Sequence, residues 1–222
     1  MANNSAILLD FSNTITTVES ENESIGKWLD LIKERYNIKE DVNSRFKAMR
    51  LEKLVDREKR FRTFMEINKE VLSEIYGISE IFEEEYYASH EKNLRLRSDF
   101  IPFITQMVGK IKIIMVTDAD NVYTQRTLAA LKIAQYFDSI VTAENVGAPK
   151  PNHKIFNEAL NVAQHPSKVL FIGDSERRDI EGAKSMKFFT VKMDDDSSPT
   201  IADEIVHNFS QVTEIIKRRH LL

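Results

Sequence analysis

The second half of the chain alternates short apolar runs with amphipathic segments, and this alternation restricts the possible fold more than any other feature. Residues 111–117, 140–142 and 169–172 are mainly apolar runs of the length and composition typical of buried strands. Between the last two runs, apolar residues recur at helical spacing over residues 155–163. Because strands that alternate with helices form βαβ units, the sequence predicts an α/β fold with a Rossmann-like, doubly wound parallel sheet.

Near the N-terminus, a further apolar run over residues 7–9 stops at Asp10 and is followed by small polar residues. This pattern predicts a buried parallel strand with a polar end. Ligands of doubly wound sheets bind beyond the carboxyl ends of the strands, where an acidic residue can contact them without disturbing the core. Asp10 is therefore the first candidate for a functional residue.

Residues 16–98 differ in character, because their apolar residues recur at helical spacing and no convincing strand appears among them. Gly77 is typical of a helix end, and Ser79 is typical of the N-cap of a following helix. We therefore expect an all-helical domain of about four helices over residues 16–98. It would be inserted into an α/β core domain formed by residues 1–15 and 99–222.

Polar residues follow three of the predicted strands, namely Asp10, Thr117 and Asp174. The ends of neighbouring parallel strands lie only about 5 Å apart, so these side chains can converge on one pocket. Lys150 lies in a loop between two prolines, which restrict the backbone and hold the lysine in place. Carboxylates suit a magnesium ion, and hydroxyl and ammonium donors suit a phosphoryl group.

Composition excludes several other classes of protein. The 222-residue chain has a formal net charge of −4 and no cysteine. The charge argues against a general nucleic-acid binder, and the lack of cysteine excludes disulfides, thiol nucleophiles and zinc–cysteine sites. The N-terminus has no secretory signal pattern, and no stretch reaches the ~18 apolar residues of a membrane span. We therefore expect a cytoplasmic protein with no membrane partner, and no feature of the sequence indicates its oligomeric state.

At four places the sequence resembles the haloacid dehalogenase superfamily, in the branch with a helical cap inserted after the first motif. The matching residues, in chain order, are Asp10 and Thr14 in DFSNT, Thr117, Lys150 in GAPKPNHKIF, and Asp174 with Asp179 in IGDSERRDIEGAK. The similarity is closest over residues 111–193 and extends to the small-molecule phosphatases of the group. Across residues 16–98 it is limited to size and helical character.

This resemblance implies a Mg²⁺-dependent phosphatase that acts on a small phosphorylated metabolite through an aspartyl-phosphate. Asp10 would be the nucleophile, and Lys150 would screen the charge between Asp10 and the phosphate. Thr117 and the backbone amide of Asp118 would bind phosphate oxygens.

The resemblance also implies the ligands of the cation. The carboxylates of Asp10 and Asp174 and the carbonyl of Ser12 would hold Mg²⁺. Asp179 would support the water shell of the metal or the position of Lys150.

One position departs from the pattern of the family. Its phosphatases usually carry a second Asp two residues after the nucleophile, as general acid and base, and here that residue is Ser12. General acid–base catalysis contributes about 10²- to 10⁴-fold, so we expect slow hydrolysis. Asp118 or Asp120 could replace the missing acid if its carboxyl reaches the leaving group. A milder departure is Asn13 in place of the usual glycine, since Asn tolerates unusual backbone angles.

Two alternatives remain open. A degenerate site would bind phosphate or another ligand without turnover. Hydrolysis of a phosphonate carbon–phosphorus bond would need a cap lysine as Schiff base, for which Lys53 is the candidate, although an exposed helix lysine is the simpler interpretation. The segment from Arg45 to Arg62 carries eight basic and three acidic residues, so it either attracts anionic substrates or forms a solvated helix face.

Overall fold

The computed structural model describes residues 4–57, 60–80, 82–194, 196 and 198–220. Within these residues, the strands are β1 (Ser5–Leu9), β2 (Lys112–Thr117), β3 (Ser139–Thr142), β4 (Lys168–Gly173), β5 (Phe189–Met193) and β6 (Glu204–Val206). They form one parallel sheet in the order β3-β2-β1-β4-β5-β6. This is the strand order of a Rossmann-like doubly wound sheet, so the predicted α/β fold is confirmed.

The first strand lies in the middle of the sheet, between β2 and β4. Its last residue, Leu9, is paired with Met115 of β2 and with Ile172 of β4. All five residues of β1 are buried, as expected for a strand covered on both faces. Asp10 therefore directly follows the central strand. Thr117 lies two residues after Met115, the partner of Leu9 in β2, and Asp174 lies two residues after Ile172, the partner of Leu9 in β4.

The helices of the described residues fall into two groups, before and after β2. They are α1 (Val18–Arg35), α2 (Val42–Asp56), α3 (Phe64–Tyr76), α4 (Glu83–Asn93), α5 (Phe100–Met107), α6 (Asn121–Leu131), α7 (Ala143–Val146), α8 (His153–Val162), α9 (Gly182–Ser185) and α10 (Phe209–Arg218). A 3₁₀ turn spans Ala134–Tyr136, and a π-helical turn spans Glu176–Glu181. The helices expected in the inserted segment are α1 to α4, and an antiparallel bridge between Thr16 and Leu96 brings together the chain entering and leaving them.

Local capping explains where the inserted helices begin and end. Thr63 and Glu66 form a capping box at the start of α3, and Gly77 ends that helix with a φ of +66°. The expectation that Ser79 caps the next helix is wrong, because α4 begins after Phe82 with no side-chain cap. Ile81, just before Phe82, lies outside the described residues. Three glutamates in the first turn of α4 complement its helix dipole instead.

Among the elements after residue 98 that the sequence did not predict are α5, β6 and α10. Pro102 interrupts the sequence pattern, yet it is the third residue of α5, where the missing N–H breaks no intrahelical hydrogen bond. β6 is three residues long at the edge of the sheet, too short to show a period. The third element is α10, which packs against α5 through stacked rings of Phe103 and Phe209 with centroids 4.9 Å apart.

Buried apolar side chains cover both faces of the sheet. Leu8 points into a cluster with Phe156 of α8, and Leu9 points into the cluster that contains Phe103 and Phe209. Residues at the ends of the strands are therefore the part of the sheet that ligands can reach. Among the described residues, no helix combines the length and apolar character needed to cross a membrane.

Candidate active site

The ammonium group of Lys150 lies between two carboxylates at the carboxyl edge of the sheet. Its Nζ atom is 2.5 Å from Oδ1 of Asp10 and 2.6 Å from Oδ1 of Asp179. Burial alone would lower the pKa of Lys150, but the charges of Asp10 and Asp179 raise it above its usual value. The lysine is therefore a buried cation beside Asp10.

The loop between α7 and α8 fixes the backbone of this lysine. Gly147 ends α7 with a φ of +71°, a left-handed conformation that favours glycine. Pro149 and Pro151 flank Lys150. The backbone N–H of Lys150 donates to Oδ1 of Asp118 at 2.8 Å, so both its main chain and its side chain are held.

Three carboxyl groups meet at this edge of the sheet, since one oxygen each of Asp10, Asp174 and Asp179 lies within 4.8 Å of the others. The Thr14 hydroxyl donates to Oδ2 of Asp10 at 3.1 Å and lies 3.5 Å from Oδ1 of Asp174. Burial raises the pKa of Asp10 to about 6, although the charge of Lys150 opposes this. Burial and the charge of Asp10 raise the pKa of Asp174 to about 7. Crowded oxygen donors of this kind suit a hard divalent cation, which would relieve their repulsion.

Both oxygens of Asp179 already accept hydrogen bonds from protein groups. Oδ1 accepts from Lys150, and Oδ2 accepts from the backbone N–H of Ser175 at 2.9 Å. The side chain packs directly over Gly173, where an added Cβ would lie 2.5 Å from Cγ of Asp179. Glycine is therefore required there, and Asp179 holds Lys150 and the loop after β4 in place.

Thr117 and Asp118 follow β2, the strand paired with β1. The buried Thr117 hydroxyl accepts from the backbone N–H of Ala119 at 3.1 Å. The Asp118 carboxylate binds the backbone of Lys150, and the Asp120 carboxylate binds backbone amides in the first turn of α3. The two carboxylates considered as replacement acids are thus engaged with other donors.

A carboxyl group that the sequence analysis missed lies beside Ser12. Glu21, in the first turn of α1, accepts a hydrogen bond from the Thr16 hydroxyl at 2.5 Å and lines the same cavity as Ser12. The hydroxyl of Tyr123 in α6 donates to Oε2 of Glu21 at 3.4 Å. Burial raises the pKa of Glu21, although its hydrogen bond from Thr16 opposes the shift. The sequence alone did not indicate that Glu21 lies near Ser12, because an acidic residue in the first turn of a helix is already explained by the helix dipole.

The residue after Ser12 also has an unusual conformation. Asn13 has a φ of +62°, in the left-handed region. Its side-chain amide lies 3.5 Å from Oδ2 of Asp174. Asn occupies this region more readily than most residues, so it can replace the glycine that the family usually has at this position.

Two cavities open beside these side chains, between the sheet edge and the helices α1 to α4. One has a volume of about 260 Å³ and is lined by Leu51, Leu54, Arg57, Asp118, Lys150 and Arg178 among others. The second has a volume of about 230 Å³ and is lined by Ser12, Glu21, Arg50, Leu54, Tyr123 and Arg178 among others. Leu54 and Arg178 line both cavities, so the two adjoin.

Lys53 lines neither cavity. Its Nζ atom lies 2.6 Å from a carboxylate oxygen of Glu70 and 2.7 Å from one of Glu74, both in α3. Arg62 also pairs with Glu70. Part of the basic segment therefore forms ion pairs within the helices. Hydrogen bonds to Glu70 and Glu74 raise the pKa of Lys53 and so oppose the neutral amine that Schiff-base chemistry needs.

The model of the haloacid dehalogenase-like hydrolase family matches residues 5–187 of the chain. Pyrimidine 5′-nucleotidase YjjG of Escherichia coli (strain K12) is 37% identical over 84 residues, which cover 37% of this chain and 37% of that protein. A glyceraldehyde 3-phosphate phosphatase of Methanopyrus kandleri is 32% identical over 111 residues, which cover 49% of this chain and 47% of that protein. Each match therefore spans less than half of the relative.

Similarity of the fold extends much further along the chain. The crystal structure of the HAD-hydrolase YfnB from Bacillus subtilis bound to magnesium superposes with a TM-score of 0.80 at 21% identity, over 96% of this chain and 98% of that chain. At this identity the likeness concerns the fold alone. Because the family model spans most of the chain, the protein belongs to the haloacid dehalogenase-like hydrolases.

Proposed function

We propose that the protein is a Mg²⁺-dependent phosphomonoesterase that hydrolyses a small phosphorylated metabolite, with Asp10 as the nucleophile. The observation that carries this proposal is the position of Lys150, whose Nζ atom lies 2.5 Å from the Asp10 carboxylate. An anionic nucleophile that approaches an anionic phosphate ester meets strong repulsion at low dielectric. A buried lysine beside the nucleophile offsets that repulsion.

The donor set beside Asp10 fits a magnesium ion. Asp10 and Asp174 would hold the ion together with the carbonyl of Ser12, while Asp179 would support its water shell and keep Lys150 in place. Magnesium commonly uses few protein ligands and keeps several waters, which agrees with this small set. When bound, the ion neutralises charge on the nucleophile and on the phosphoryl group.

The reaction proceeds in two steps at phosphorus. An oxygen of Asp10 first bonds to phosphorus while the bond from phosphorus to the ester oxygen breaks, which forms an aspartyl-phosphate and releases the alcohol. Water then attacks phosphorus, the bond to Asp10 breaks and inorganic phosphate leaves. Thr117 and the backbone amide of Asp118 would bind phosphate oxygens in both steps, and Lys150 would balance their charge.

The leaving oxygen needs a proton, and the Ser12 hydroxyl is a poor source of one near neutral pH. Esters with good leaving groups depend least on this proton, so we expect them to be hydrolysed fastest. The cavity of about 230 Å³ beside Ser12 would receive the leaving group. Together with the adjoining cavity of about 260 Å³, it offers the space that a small organic molecule needs.

Two relatives support small organic phosphates as the substrate class. One is named a pyrimidine 5′-nucleotidase and the other a glyceraldehyde 3-phosphate phosphatase. Since the matches cover 37% and 47% of those proteins, we propose the shared class, a small phosphomonoester, and neither individual substrate.

A steady-state assay with 4-nitrophenyl phosphate, with and without Mg²⁺, tests the proposal. We expect turnover that needs Mg²⁺, is lost in Asp10→Asn and is retained in Asp30→Asn, a control that changes an exposed carboxylate on α1. Turnover that persists in purified Asp10→Asn would overturn the nucleophile assignment. Phosphate binding without turnover would favour the alternative, a degenerate phosphate-binding protein.

A further inference from the structure

Arg57 immediately follows α2, and its side chain is only 3% exposed. Its Nη2 atom donates to the carbonyl oxygen of Asp118 at 3.0 Å, and its Nε atom donates to the carbonyl oxygen of Arg62 at 2.6 Å. The guanidinium also lies 5.1 Å from the ring centroid of Phe61 and 4.4 Å from that of Phe64. Arg57 is thus held in one geometry against the loop that follows β2.

Asp120 makes a reciprocal contact from that loop to the inserted helices. It precedes α6, but its carboxylate makes no capping hydrogen bond to that helix. It accepts instead from the backbone N–H groups of Phe64 at 2.8 Å and Met65 at 3.3 Å, in the first turn of α3. Its Oδ1 atom also lies 3.9 Å from Nη2 of Arg57. A carboxylate at a helix N-terminus is stabilising, so the start of α3 is bound to the loop after β2.

The same loop reaches the proposed nucleophile through two further hydrogen bonds. Oδ1 of Asp118 accepts from the backbone N–H of Lys150 at 2.8 Å, and Nζ of Lys150 lies 2.5 Å from Asp10. A displacement of Asp118 therefore moves an acceptor on which the position of Lys150 depends. A misplacement of about 1 Å in a catalytic constellation can lower a rate about 10²-fold.

Another arginine joins the inserted helices to the rest of the protein without contacting this loop. Arg126 of α6 pairs with Glu84 and Glu91 of α4. Its guanidinium also lies 5.0 Å from the ring centroid of Tyr87. Replacing Arg57 leaves this contact between α4 and α6 intact, so Arg126 provides a matched control.

We propose that Arg57 and Asp120 are positioning residues for the phosphatase reaction. They hold the loop of residues 117–120 and, through Asp118, fix Lys150 beside Asp10. The catalytic part of this inference rests on the proposed function, whereas the link from Arg57 to Lys150 can be measured without turnover.

Steady-state kinetics with 4-nitrophenyl phosphate test the catalytic part. We expect kcat to fall about 10²-fold in Arg57→Met with little change in KM, because the groups that act on phosphorus are misplaced. Arg57→Lys should have a higher kcat than Arg57→Met, since the lysine ammonium group can still donate to one of the two carbonyl oxygens. Arg126→Met should retain the kcat of the wild type. Equal losses in the two methionine variants, or an unchanged kcat in Arg57→Met, would overturn the positioning role.

Amide hydrogen exchange separates this inference from the proposed function. The exchange rate of the Lys150 backbone amide should rise in Arg57→Met and remain at the wild-type rate in Arg126→Met. Asp120→Asn should give a smaller rise and provides a second test if Arg57→Met does not fold. An unchanged rate in folded Arg57→Met would contradict the positioning role even in an active enzyme. Faster exchange in a protein whose wild type lacks turnover would support the link and refute only the proposed function.

Discussion

Ser12 and Glu21 line the same cavity of about 230 Å³. A carboxyl group therefore lies beside the position where phosphatases of the family usually carry their second Asp. Glu21 belongs to α1, outside the motif that contains Asp10.

We expect Glu21→Gln to slow the hydrolysis of alkyl phosphates about tenfold or more and to affect aryl phosphates less. A carboxyl group can supply a proton to a poor leaving group, and the amide cannot. The measurement is kcat/KM across esters of graded leaving-group pKa, with Glu23→Gln, an exposed change on the same helix, as control. An equal loss for every ester would restrict Glu21 to a structural contact.

The loss of the Lys150 charge should affect both activity and stability. In Lys150→Met, we expect turnover to fall about 10²- to 10³-fold, the usual effect of removing one electrostatic donor. The buried carboxylates of Asp10 and Asp179 would also lose their counter-ion, so the free energy of unfolding should fall by about 3–5 kcal/mol. Kinetics and denaturant unfolding measure the two effects.

Lys53→Met is the matched control for that variant, since Lys53 pairs with Glu70 and Glu74 away from both cavities. Phosphatase activity should remain at the wild-type value. Activity abolished in Lys53→Met, together with borohydride trapping of this lysine by substrate, would support the carbon–phosphorus alternative instead.

Several parts of the fold were predictable because local pattern and global fold agree. β1 to β4 are largely buried parallel strands, which appear in the sequence as short apolar runs. Asp10, Thr117 and Asp174 follow the neighbouring strands β1, β2 and β4, so their proximity follows from strand order once a parallel sheet is assumed. α5 is not evident from the sequence, because Pro102 interrupts the pattern without breaking the helix.

Contacts between the inserted helices and the sheet edge could not be predicted in this way. Glu21 shares a cavity with Ser12, and Arg57 reaches Asp118, because of how α1 and α2 pack. Helical periodicity identifies an apolar face but does not specify which polar residue of the opposite face meets a distant loop. The departure at Ser12 was visible in the sequence, whereas its carboxyl neighbour depends on tertiary structure.

Magnesium should stabilise the folded protein by binding among the crowded carboxylates of Asp10, Asp174 and Asp179. At a concentration about tenfold above Kd, binding contributes about 1.4 kcal/mol. For a chain of this size that corresponds to a rise in Tm of about 3–6 °C. Thermal unfolding with and without Mg²⁺, at constant ionic strength, measures this rise in Tm for the wild type and for Asp174→Asn. An equal rise in Tm in the variant would show that the ion binds elsewhere.

The stability contributed by Asp120 should depend on pH. Burial raises its pKa from 3.8 to about 6 in the folded protein, so the folded state binds the proton more tightly than the unfolded state. Stability is therefore lost as the pH rises from about 4 to about 6, by up to about 3 kcal/mol. Asn does not ionise, so Asp120→Asn should not lose stability in this way. The free energy of unfolding of the variant minus that of the wild type should therefore increase as the pH rises over that range. If the difference in free energy of unfolding between the two proteins did not change with pH, the raised pKa of Asp120 would be contradicted.

The central claim, that Asp10 is the nucleophile, is tested most directly by trapping its phosphorylated form. Because Ser12 is a poor general base for the water that attacks phosphorus, the aspartyl-phosphate should accumulate during turnover. Rapid quenching with substrate and Mg²⁺, followed by borohydride reduction, converts an acyl phosphate into an alcohol that mass spectrometry can locate. We predict homoserine at position 10 in the wild type and its absence without substrate. Steady turnover with an unmodified Asp10, or modification at another residue, would contradict the mechanism.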